Sequence, residues 1–368
     1  MLQDTKKGNK TKLILEDGSV YHGYSFGAER SVAGEVVFNT GMVGYPESMT
    51  DPSYRGQILT LTYPLIGNYG VPSDKRDGNE ILKFFESEKI QIQGLIVSEY
   101  CKNYHHWNAM RSLSEWLKEN NVPGIYGIDT RALTKKLREK GTMLGKIVYD
   151  KDIDFDDPDK RNLVKEVSID KPIIYGDGEI KVVVIDCGIK NNILRCFLKR
   201  DVKIIRVPWD YDVFKKQFEF DGLFISNGPG DPKMCKETIE IVRKAIANDI
   251  PIFGICLGNQ ILGLAAGADT YKLKYGHRSQ NQPCKELGTK KCYITPQNHG
   301  FAVDTETLPK DWQPWFENAN DKTNEGIRHR KKPWFSIQFH PEAKCGPVDT
   351  EFLFDRFLSI IKNGKRIC

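Results

Sequence analysis

Long apolar runs are absent from this 368-residue chain. No stretch of about 18 consecutive apolar residues occurs, so a membrane-spanning helix is not predicted. The first twelve residues are polar and lack the apolar core of a secretory leader, so we expect no leader peptide. No dense block of Lys and Arg occurs either, and the net charge of +5 is the difference between 54 basic and 49 acidic residues. We therefore expect the chain to bind neither membranes nor nucleic acids.

Closely spaced cysteine pairs are also absent. The nine cysteines are scattered, their number is odd, and no Cys-x-x-Cys pair occurs. This pattern excludes a disulfide framework and a cysteine zinc site, and it indicates free thiols in a reducing, cytoplasmic compartment. The phosphate-binding pattern Gly-x-x-x-x-Gly-Lys-Ser/Thr is missing as well, so the sequence predicts no ATP site of that kind.

The length favours two domains. Residues 1–150 predict a mixed α and β domain, which begins with a hairpin across Asp17-Gly18. Its last part predicts an amphipathic helix that ends before Pro123 and a second helix between an N-cap at Asp129 and Gly141. Residues 151–179 are polar and rich in Asp and Pro, which is typical of a linker between domains.

Residues 180–368 predict an α/β domain with a mainly parallel sheet flanked by helices. The apolar segments "IKVVVIDCGIK", "VKIIRVPW", "FDGLFIS" and "PIFGIC" alternate with helical patterns, and a last helix is predicted from Val348 to Lys362. Ligands of such sheets bind at the carboxyl ends of the strands, so candidate site residues should directly follow these segments.

The first candidate is Cys256 in Gly254-Ile255-Cys256-Leu257-Gly258. A Gly-x-Cys-x-Gly pattern between a strand and a helix has the layout of a nucleophile elbow, and a helix N-terminus favours the thiolate. A buried cysteine at a strand end explains the pattern equally well.

The second candidate is the segment "SNGPGDP", which runs from Ser226 to Pro232. Gly228 and Gly230 expose backbone N–H groups that could stabilise an oxyanion. Taken alone, the segment is better explained as a simple turn before a helix.

The third candidate is His340-Pro341-Glu342, at the end of a β-type run. Residues two apart in extended chain lie on the same side, and Pro341 keeps the preceding residue extended, so Glu342 could orient His340. Alone, an exposed histidine at a strand end is favoured. Together, a thiol, a base with its carboxylate and an oxyanion loop are the parts that acyl transfer needs, although their spacing does not prove that they meet.

The segments "FGICLGNQ" and "HPE" resemble the triad-type, class I glutamine amidotransferases. Several further segments resemble the small-subunit family of carbamoyl phosphate synthetases, or the equivalent domain of the fused eukaryotic enzymes: "LEDGSVYHGYSFG", "GEVVFNTGMVGYPE", "SNGPGDP" and "QNHGFAVD". The resemblance extends from about Lys12 to about Lys362, and its first half is the specific part.

The resemblance implies hydrolysis of L-glutamine to glutamate and ammonia. The ammonia would pass through an internal channel to a large synthetase subunit or fused synthetase domains, which hold ATP and Mg²⁺ and make carbamoyl phosphate for pyrimidine or arginine synthesis. This half-reaction needs no metal or cofactor in the present chain. By motif, Cys256 is the nucleophile, His340 the general base and Glu342 its partner. The resemblance also assigns an oxyanion hole to the backbone of Leu257 and Gly230, and glutamine binding to Ser53, Gly228, Gly230, Leu257, Gln260, Asn298, Gly300 and Phe301.

Two positions bear on the location and the activity of the site. Ser53 comes from the first domain, so the resemblance places the site near the interface between the domains. Asn259 stands where glutaminase-active relatives usually carry His, which makes it a possible modulator of rate or coupling. Because Cys256 and Gln260 are both present, we expect an active glutaminase. The alternatives are a catalytically silent structural or regulatory domain of the same synthetase and a thiol peptidase-like hydrolase.

Overall fold

The computed structural model describes residues 8–215 and 219–364. The chain divides into two compact units, one made of Met1–Arg76 and Leu82–Lys160 and the other of Asp77–Ile81 and Arg161–Cys368. The division after Lys160 falls inside the segment 151–179 that the sequence analysis assigned to a linker. Part of that segment has regular structure within the second unit.

The first unit contains a closed barrel of seven strands in the order β1-β2-β6-β5-β4-β3-β7. The strands are β1 (Lys10–Leu15), β2 (Val20–Ser25), β3 (Val32–Asn39), β4 (Gln57–Leu61), β5 (Gly94–Val97), β6 (Gly124–Tyr126) and β7 (Met143–Val148). The antiparallel pairing of β1 with β2 confirms the predicted hairpin. The barrel closes where Lys12 pairs with Val148, a contact between distant parts of the sequence that local patterns do not encode.

The helices of the first unit are α1 (Tyr45–Thr50), α2 (Leu113–Glu119) and α3 (Thr130–Lys140). Helix α2 begins at a capping box in which Ser112 and Glu115 satisfy each other's backbone N–H groups. For α3, the side chain of Asp129 accepts a hydrogen bond from Ala132 N at 2.9 Å, and Gly141 follows the last turn with φ 107°. Both predicted ends of α3 are confirmed.

The second unit contains a ten-stranded sheet in the order β14-β13-β15-β16-β17-β12-β11-β9-β10-β8. Its strands are β8 (Ile173–Tyr175), β9 (Ile180–Asp186), β10 (Val202–Pro208), β11 (Gly222–Ile225), β12 (Ile252–Ile255), β13 (Asp269–Glu286), β14 (Cys292–Asp304), β15 (Trp312–Asn318), β16 (Asn324–His329) and β17 (Trp334–Ile337). Strands β10, β9, β11, β12 and β17 run parallel to one another and form the predicted α/β core. Antiparallel strands extend this core on both sides.

Helices cover both faces of this sheet. They are α4 (Leu163–Val167), α5 (Asn191–Leu198), α6 (Lys236–Ala247), α7 (Leu257–Ala266) and α8 (Phe352–Lys362). The buried side chains of α5 and α8 share one core, and those of α6 and α7 share the core on the opposite face. Helix α8 begins four residues later than predicted. None of the helices in the described parts of the chain is both long and apolar enough to cross a membrane.

The turn from β12 into α7 is made possible by two glycines. Cys256 lies in this turn with φ 56°, a value that L-residues seldom adopt. A Cβ atom on Gly254 would lie 2.5 Å from the carbonyl oxygen of Gly258, and one on Gly258 would lie 2.2 Å from the carbonyl oxygen of Ile225. Both positions therefore require glycine because backbone approaches backbone there, and the elbow that the sequence predicted is present.

This packing predicts that Gly258→Ala destabilises the protein although alanine is the better helix former. The new methyl group collides with a backbone carbonyl that cannot rotate away, and we expect a loss of about 2–3 kcal/mol in the free energy of unfolding. The measurement is urea unfolding of the full chain followed by circular dichroism.

Gly263→Ala, in the same helix, is the matched control. Its Cβ atom would meet side-chain atoms of Val303 and Ile327 and no backbone atom among its nearest neighbours, the closest contact being 3.1 Å. We expect its unfolding free energy to stay within about 1 kcal/mol of the parent, since the gain in helix propensity offsets the tight contact. Equal losses in both variants would contradict the backbone-contact explanation.

Candidate active site

Cys256 joins the sheet to helix α7. It is buried, its N–H donates to the carbonyl of Ile337 at 2.8 Å, and its own carbonyl accepts from Asn259 N at 2.9 Å. Leu257 is the first residue of α7. Backbone N–H groups in the first turn of a helix have no partner within that helix, so they are available to an oxyanion. The thiol of Cys256 donates to the carbonyl of Asn298 at 3.6 Å.

His340 and Glu342 form a buried hydrogen-bonded pair. The Nδ1 atom of His340 lies 2.7 Å from Oε1 of Glu342, which confirms that the two side chains lie on the same side of the chain. The Nζ atom of Lys190 donates to the same carboxylate oxygen at 2.7 Å and lies 3.4 Å from His340 Nδ1. Since Nδ1 faces a carboxylate, it carries a proton, and the imidazole is oriented with Nε2 directed away from Glu342.

The charges of this group set its protonation. Burial raises the pKa of Glu342, but Lys190 and His340 lower it by more, so the pKa of the carboxyl lies below its usual value. Burial and the charge of Lys190 lower the pKa of His340, but Glu342 and the Cys256 thiol raise it by a larger amount. The pKa of the imidazole therefore lies above its usual value. The arrangement favours an ionised carboxylate beside an imidazolium.

The thiol and the imidazole are neighbours. Cys256 is one of the groups that raise the pKa of His340, whereas the buried Nε2 atom has no hydrogen-bond partner within the described residues. Nε2 is therefore free to exchange a proton with the thiol or with a leaving group. Catalytic hydrogen bonds often tighten only when substrate is bound.

The 226–232 segment is held against the residues that follow β9 by buried polar side chains. Ser226 Oγ accepts from Cys187 N at 2.9 Å, and Asn227 Oδ1 accepts from Lys190 N at 3.1 Å. A Cβ atom on Gly228 would lie 2.1 Å from the carbonyl oxygen of Cys187 and 2.8 Å from Cδ2 of Leu257. The segment thus packs directly on Leu257.

Gly230 lies at the far end of this segment, and its φ of 83° is one that favours glycine. The sequence predicted an oxyanion hole built from the N–H groups of Gly230 and Leu257. The contact with Leu257 is made at Gly228, and the oxyanion hole stays a prediction.

Five of the predicted glutamine-binding residues lie on α7 and β14, namely Leu257, Gln260, Asn298, Gly300 and Phe301. Gln260 Nε2 donates to the carbonyl of Phe301 at 2.8 Å, and the carbonyl of Asn298 accepts from the nucleophile. Gly300 lies between them on β14. The structure therefore brings Gln260 and this stretch of β14 together with Cys256.

Ser53 belongs to the first unit. It lies in a short 3₁₀ turn, Pro52–Tyr54, where its N–H donates to the side chain of Asp51 at 2.9 Å. Its contribution to glutamine binding stays a prediction.

Asn259 takes part in a buried network beneath the elbow. Its Oδ1 accepts from Ser336 Oγ at 2.8 Å, and its Nδ2 donates to Oε1 of Gln338 at 3.2 Å. The same Gln338 oxygen accepts from Gln260 at 3.1 Å. Asn259 thereby links helix α7 to the end of β17 and shares an acceptor with Gln260, and its influence on rate or coupling stays a prediction.

Sequence reasoning missed Lys190 and Gln338. Lys190 follows β9 at the carboxyl edge of the sheet, so the rule that located the other candidates would also have located it. Gln338 directly follows β17 and lies two residues before His340. No local pattern marked it, because its role depends on contacts with α7.

Two family models match the chain. Residues 183–360 match "Glutamine amidotransferase class-I", and residues 13–147 match "Carbamoyl-phosphate synthase small chain, CPSase domain". The two matches correspond to the second and first units.

Curated relatives match over nearly the whole chain. The chain is 56% identical over 360 residues to "Multifunctional protein CAD" of Squalus acanthias, covering 96% of this chain and 16% of that protein. It is 52% identical over 365 residues to "Carbamoyl phosphate synthase arginine-specific small chain" of Saccharomyces cerevisiae, covering 96% of this chain and 89% of that protein. It is 52% identical over 364 residues to "Carbamoyl-phosphate synthase [ammonia], mitochondrial" of Homo sapiens, covering 98% of this chain and 24% of that protein.

The lengths of these relatives differ greatly. The chain spans between a sixth and about a fifth of the multifunctional relatives of Squalus acanthias, Dictyostelium discoideum and Neurospora crassa, but most of the length of the small chains. Both units of the chain are thus accounted for by a single family of proteins. The chain belongs to the carbamoyl-phosphate synthase small-chain family, and its second unit is a class I glutamine amidotransferase domain.

Proposed function

We propose that this chain hydrolyses L-glutamine to glutamate and ammonia through a thioester on Cys256 and supplies the ammonia to a carbamoyl phosphate synthetase. The observation that carries the proposal is a buried series of hydrogen-bonded side chains, Lys190, Glu342 and His340, beside a cysteine in a strained turn. A cysteine that only filled space would need neither an oriented imidazole nor a positive φ.

The first half of the reaction forms the thioester. The Cys256 sulfur attacks the side-chain amide carbon of glutamine, and the amide π electrons move to oxygen. The N–H groups of Leu257 and Gly230 stabilise that oxyanion. When the carbonyl re-forms, the C–N bond breaks, and His340 donates its proton so that nitrogen leaves as ammonia.

The second half releases glutamate. His340, now neutral, accepts a proton from water as the water oxygen attacks the thioester carbonyl. The C–S bond then breaks, and the thiolate of Cys256 is restored beside an imidazolium. One glutamine and one water thus give one glutamate and one ammonia, and no redox partner, metal or cofactor takes part in this half-reaction.

The partner in this proposal is a synthetase large subunit or fused synthetase domains. Relatives of this chain carry the names of carbamoyl phosphate synthase small chains and of multifunctional proteins. ATP and Mg²⁺ belong to that partner, since the present sequence lacks a phosphate-binding loop. A cytoplasmic location fits the free thiols of the eight cysteines that the structure describes.

The first prediction from this mechanism concerns the nucleophile. Cys256→Ser should lower glutamate release by a factor on the order of 10³ or more, because a serine hydroxyl is far less ionised than a thiol beside an imidazolium. The assay measures glutamate with and without the synthetase, which is the acceptor of the ammonia in this proposal.

Cys292→Ser, at an exposed cysteine, is the matched control and should keep the parent rate. If the parent chain releases no glutamate even with its synthetase present, the silent-domain alternative is correct. Glutamate release that survives Cys256→Ser would reject the thioester mechanism.

A second prediction concerns pH. The carboxylate of Glu342 raises the pKa of His340 and the ammonium of Lys190 lowers it. Because His340 must be protonated to release ammonia, the alkaline limb of kcat/KM follows the pKa of His340. Glu342→Gln should therefore move that limb to lower pH, and Lys190→Met should move it to higher pH, each by about one unit or more.

Both variants should also lower kcat. Glu342→Gln leaves the buried Lys190 and His340 without their carboxylate, and Lys190→Met removes one of the two donors that hold Glu342 in place. The opposite directions of the two pH shifts separate an electrostatic effect from general damage to the site. Shifts in the same direction, or none, would contradict this assignment of charges.

A further inference from the structure

A second group of titratable side chains lies outside the reacting groups. His277 on β13, His299 on β14 and Glu325 on β16 are all buried, and one ligand atom from each lies within 4.8 Å of the others. Glu325 Oε1 lies 3.3 Å from Nδ1 of His277 and 3.8 Å from Nε2 of His299. Three strands therefore direct imidazole and carboxylate groups towards one point in the second unit.

The outer hydrogen bonds of the two histidines fix which nitrogen carries a proton. The Nε2 atom of His277 lies 2.8 Å from Oδ2 of Asp321, and the Nδ1 atom of His299 lies 2.9 Å from the carbonyl oxygen of Phe301. Both partners only accept, so both of these nitrogens carry the proton. Nδ1 of His277 faces Glu325 Oε1 at 3.3 Å and shares a proton with it, and a cation that binds here displaces this proton. Both inner nitrogens then present lone pairs to the centre of the cluster.

The other groups around the centre are also mainly acceptors. Oε1 of Gln297 lies 3.2 Å from His299 Nε2. The buried Oε2 atom of Glu325 has no hydrogen-bond partner among the residues that the structure describes. Asn318 Nδ2 donates to Glu325 Oε1 at 3.3 Å and is 3.5 Å from His277 Nδ1. A cluster of buried acceptors, in which the described residues provide this one donor at a long distance, matches what a cation requires.

We propose that His277, His299 and Glu325 bind one divalent transition-metal ion of the zinc class. Two imidazoles and a carboxylate suit Zn²⁺ and its neighbours and do not suit Mg²⁺ or Ca²⁺, which prefer oxygen ligands. The hydrogen bonds from His277 to Asp321 and from His299 to a backbone carbonyl are those that orient histidine ligands in metal sites. The ion also neutralises the buried carboxylate.

The outer partner of the cluster, Asp321, reaches solvent. The side chain of Asp321 is 46% exposed, whereas those of His277 and Glu325 are 8% and 0% exposed. An ion can therefore enter past Asp321, and the fully buried Glu325 forms the floor of the site.

The metal site adjoins residues that are predicted to bind glutamine, so we expect the ion to affect glutamine binding. This expectation rests on the proposed function. His299 lies between Asn298 and Gly300 on β14, and its ring is bonded to the carbonyl of Phe301. The ion ties this strand to β13 and β16, so it positions the residues that are predicted to bind glutamine. Its removal should raise the KM for glutamine more than it lowers kcat.

The test titrates the full chain, stripped with a chelator, with ZnCl₂ in a calorimeter and with Co²⁺ in a spectrophotometer. His277→Asn removes a ligand of similar shape, and Asp321→Asn removes only the supporting carboxylate. We expect Asp321→Asn to weaken Zn²⁺ binding by roughly 10–100-fold and His277→Asn to weaken it by more. Circular dichroism checks that each variant is folded, and the mild Asp321→Asn change keeps the test decisive if His277→Asn does not fold.

Two further variants of the chain control for other groups that can bind zinc. Cys256→Ser removes the thiol of the catalytic pair, which can itself bind Zn²⁺, and His105→Asn removes an exposed histidine. Both should keep the site, and the Co²⁺ spectrum of Cys256→Ser should show tetrahedral bands that His277→Asn lacks.

Three outcomes are informative. Equal Zn²⁺ binding by the parent and His277→Asn, or none by either, would overturn the metal site and favour an imidazolium of His277 paired with its two carboxylates. A metal site without any change in glutamine KM would overturn the positioning role. Failure of the proposed function can be told apart from failure of the metal site. In that case glutamate release is absent, but Zn²⁺ binding still depends on His277.

Discussion

The buried carboxylate of Glu342 is the group on which the active site depends. It accepts from Lys190 and pairs with His340, both at 2.7 Å, so two cationic side chains share one anion away from water. Removing one partner of such a buried group typically costs about 3–5 kcal/mol, because a charge remains without compensation. The carboxylate therefore compensates both cations, and it holds the imidazole in a single orientation.

The parallel strands bring these groups together. Lys190 follows β9, Cys256 follows β12, and His340 follows β17, and the three strands run in the same direction in one sheet. Their carboxyl ends therefore meet at one edge, which is where ligands bind in sheets of this kind. The antiparallel strands beside them add β14, whose backbone accepts from the Cys256 thiol. The fold supplies the positions, and the chemistry comes from the side chains placed there.

Local patterns in the sequence predicted those helix ends and turns whose structure depends on neighbouring residues. The ends of α3 at Asp129 and Gly141, the hairpin across Asp17-Gly18 and the elbow around Cys256 all depend on residues adjacent in the chain. The pairing of Lys12 with Val148 that closes the barrel could not be predicted in this way, since it depends on contacts between distant segments.

The same distinction separates the predicted from the unpredicted parts of the two sites. His340 and Glu342 are two residues apart, so their pairing followed from extended backbone geometry. Lys190 joins them from a remote strand, and the cluster of His277, His299 and Glu325 comes from three strands with no spacing that resembles a metal motif. Only the register of β13, β14 and β16 brings those ligands together.

The central claim is that glutamine is cleaved through a covalent bond to Cys256. The most direct test mixes the chain and its synthetase with glutamine, quenches the mixture with acid during turnover and identifies the modified peptide by mass spectrometry. The account predicts a glutamyl group on the peptide that contains Cys256, and none in the Cys256→Ser variant. Turnover of glutamine with no glutamyl group on Cys256 at any time point, and undiminished in Cys256→Ser, would contradict it.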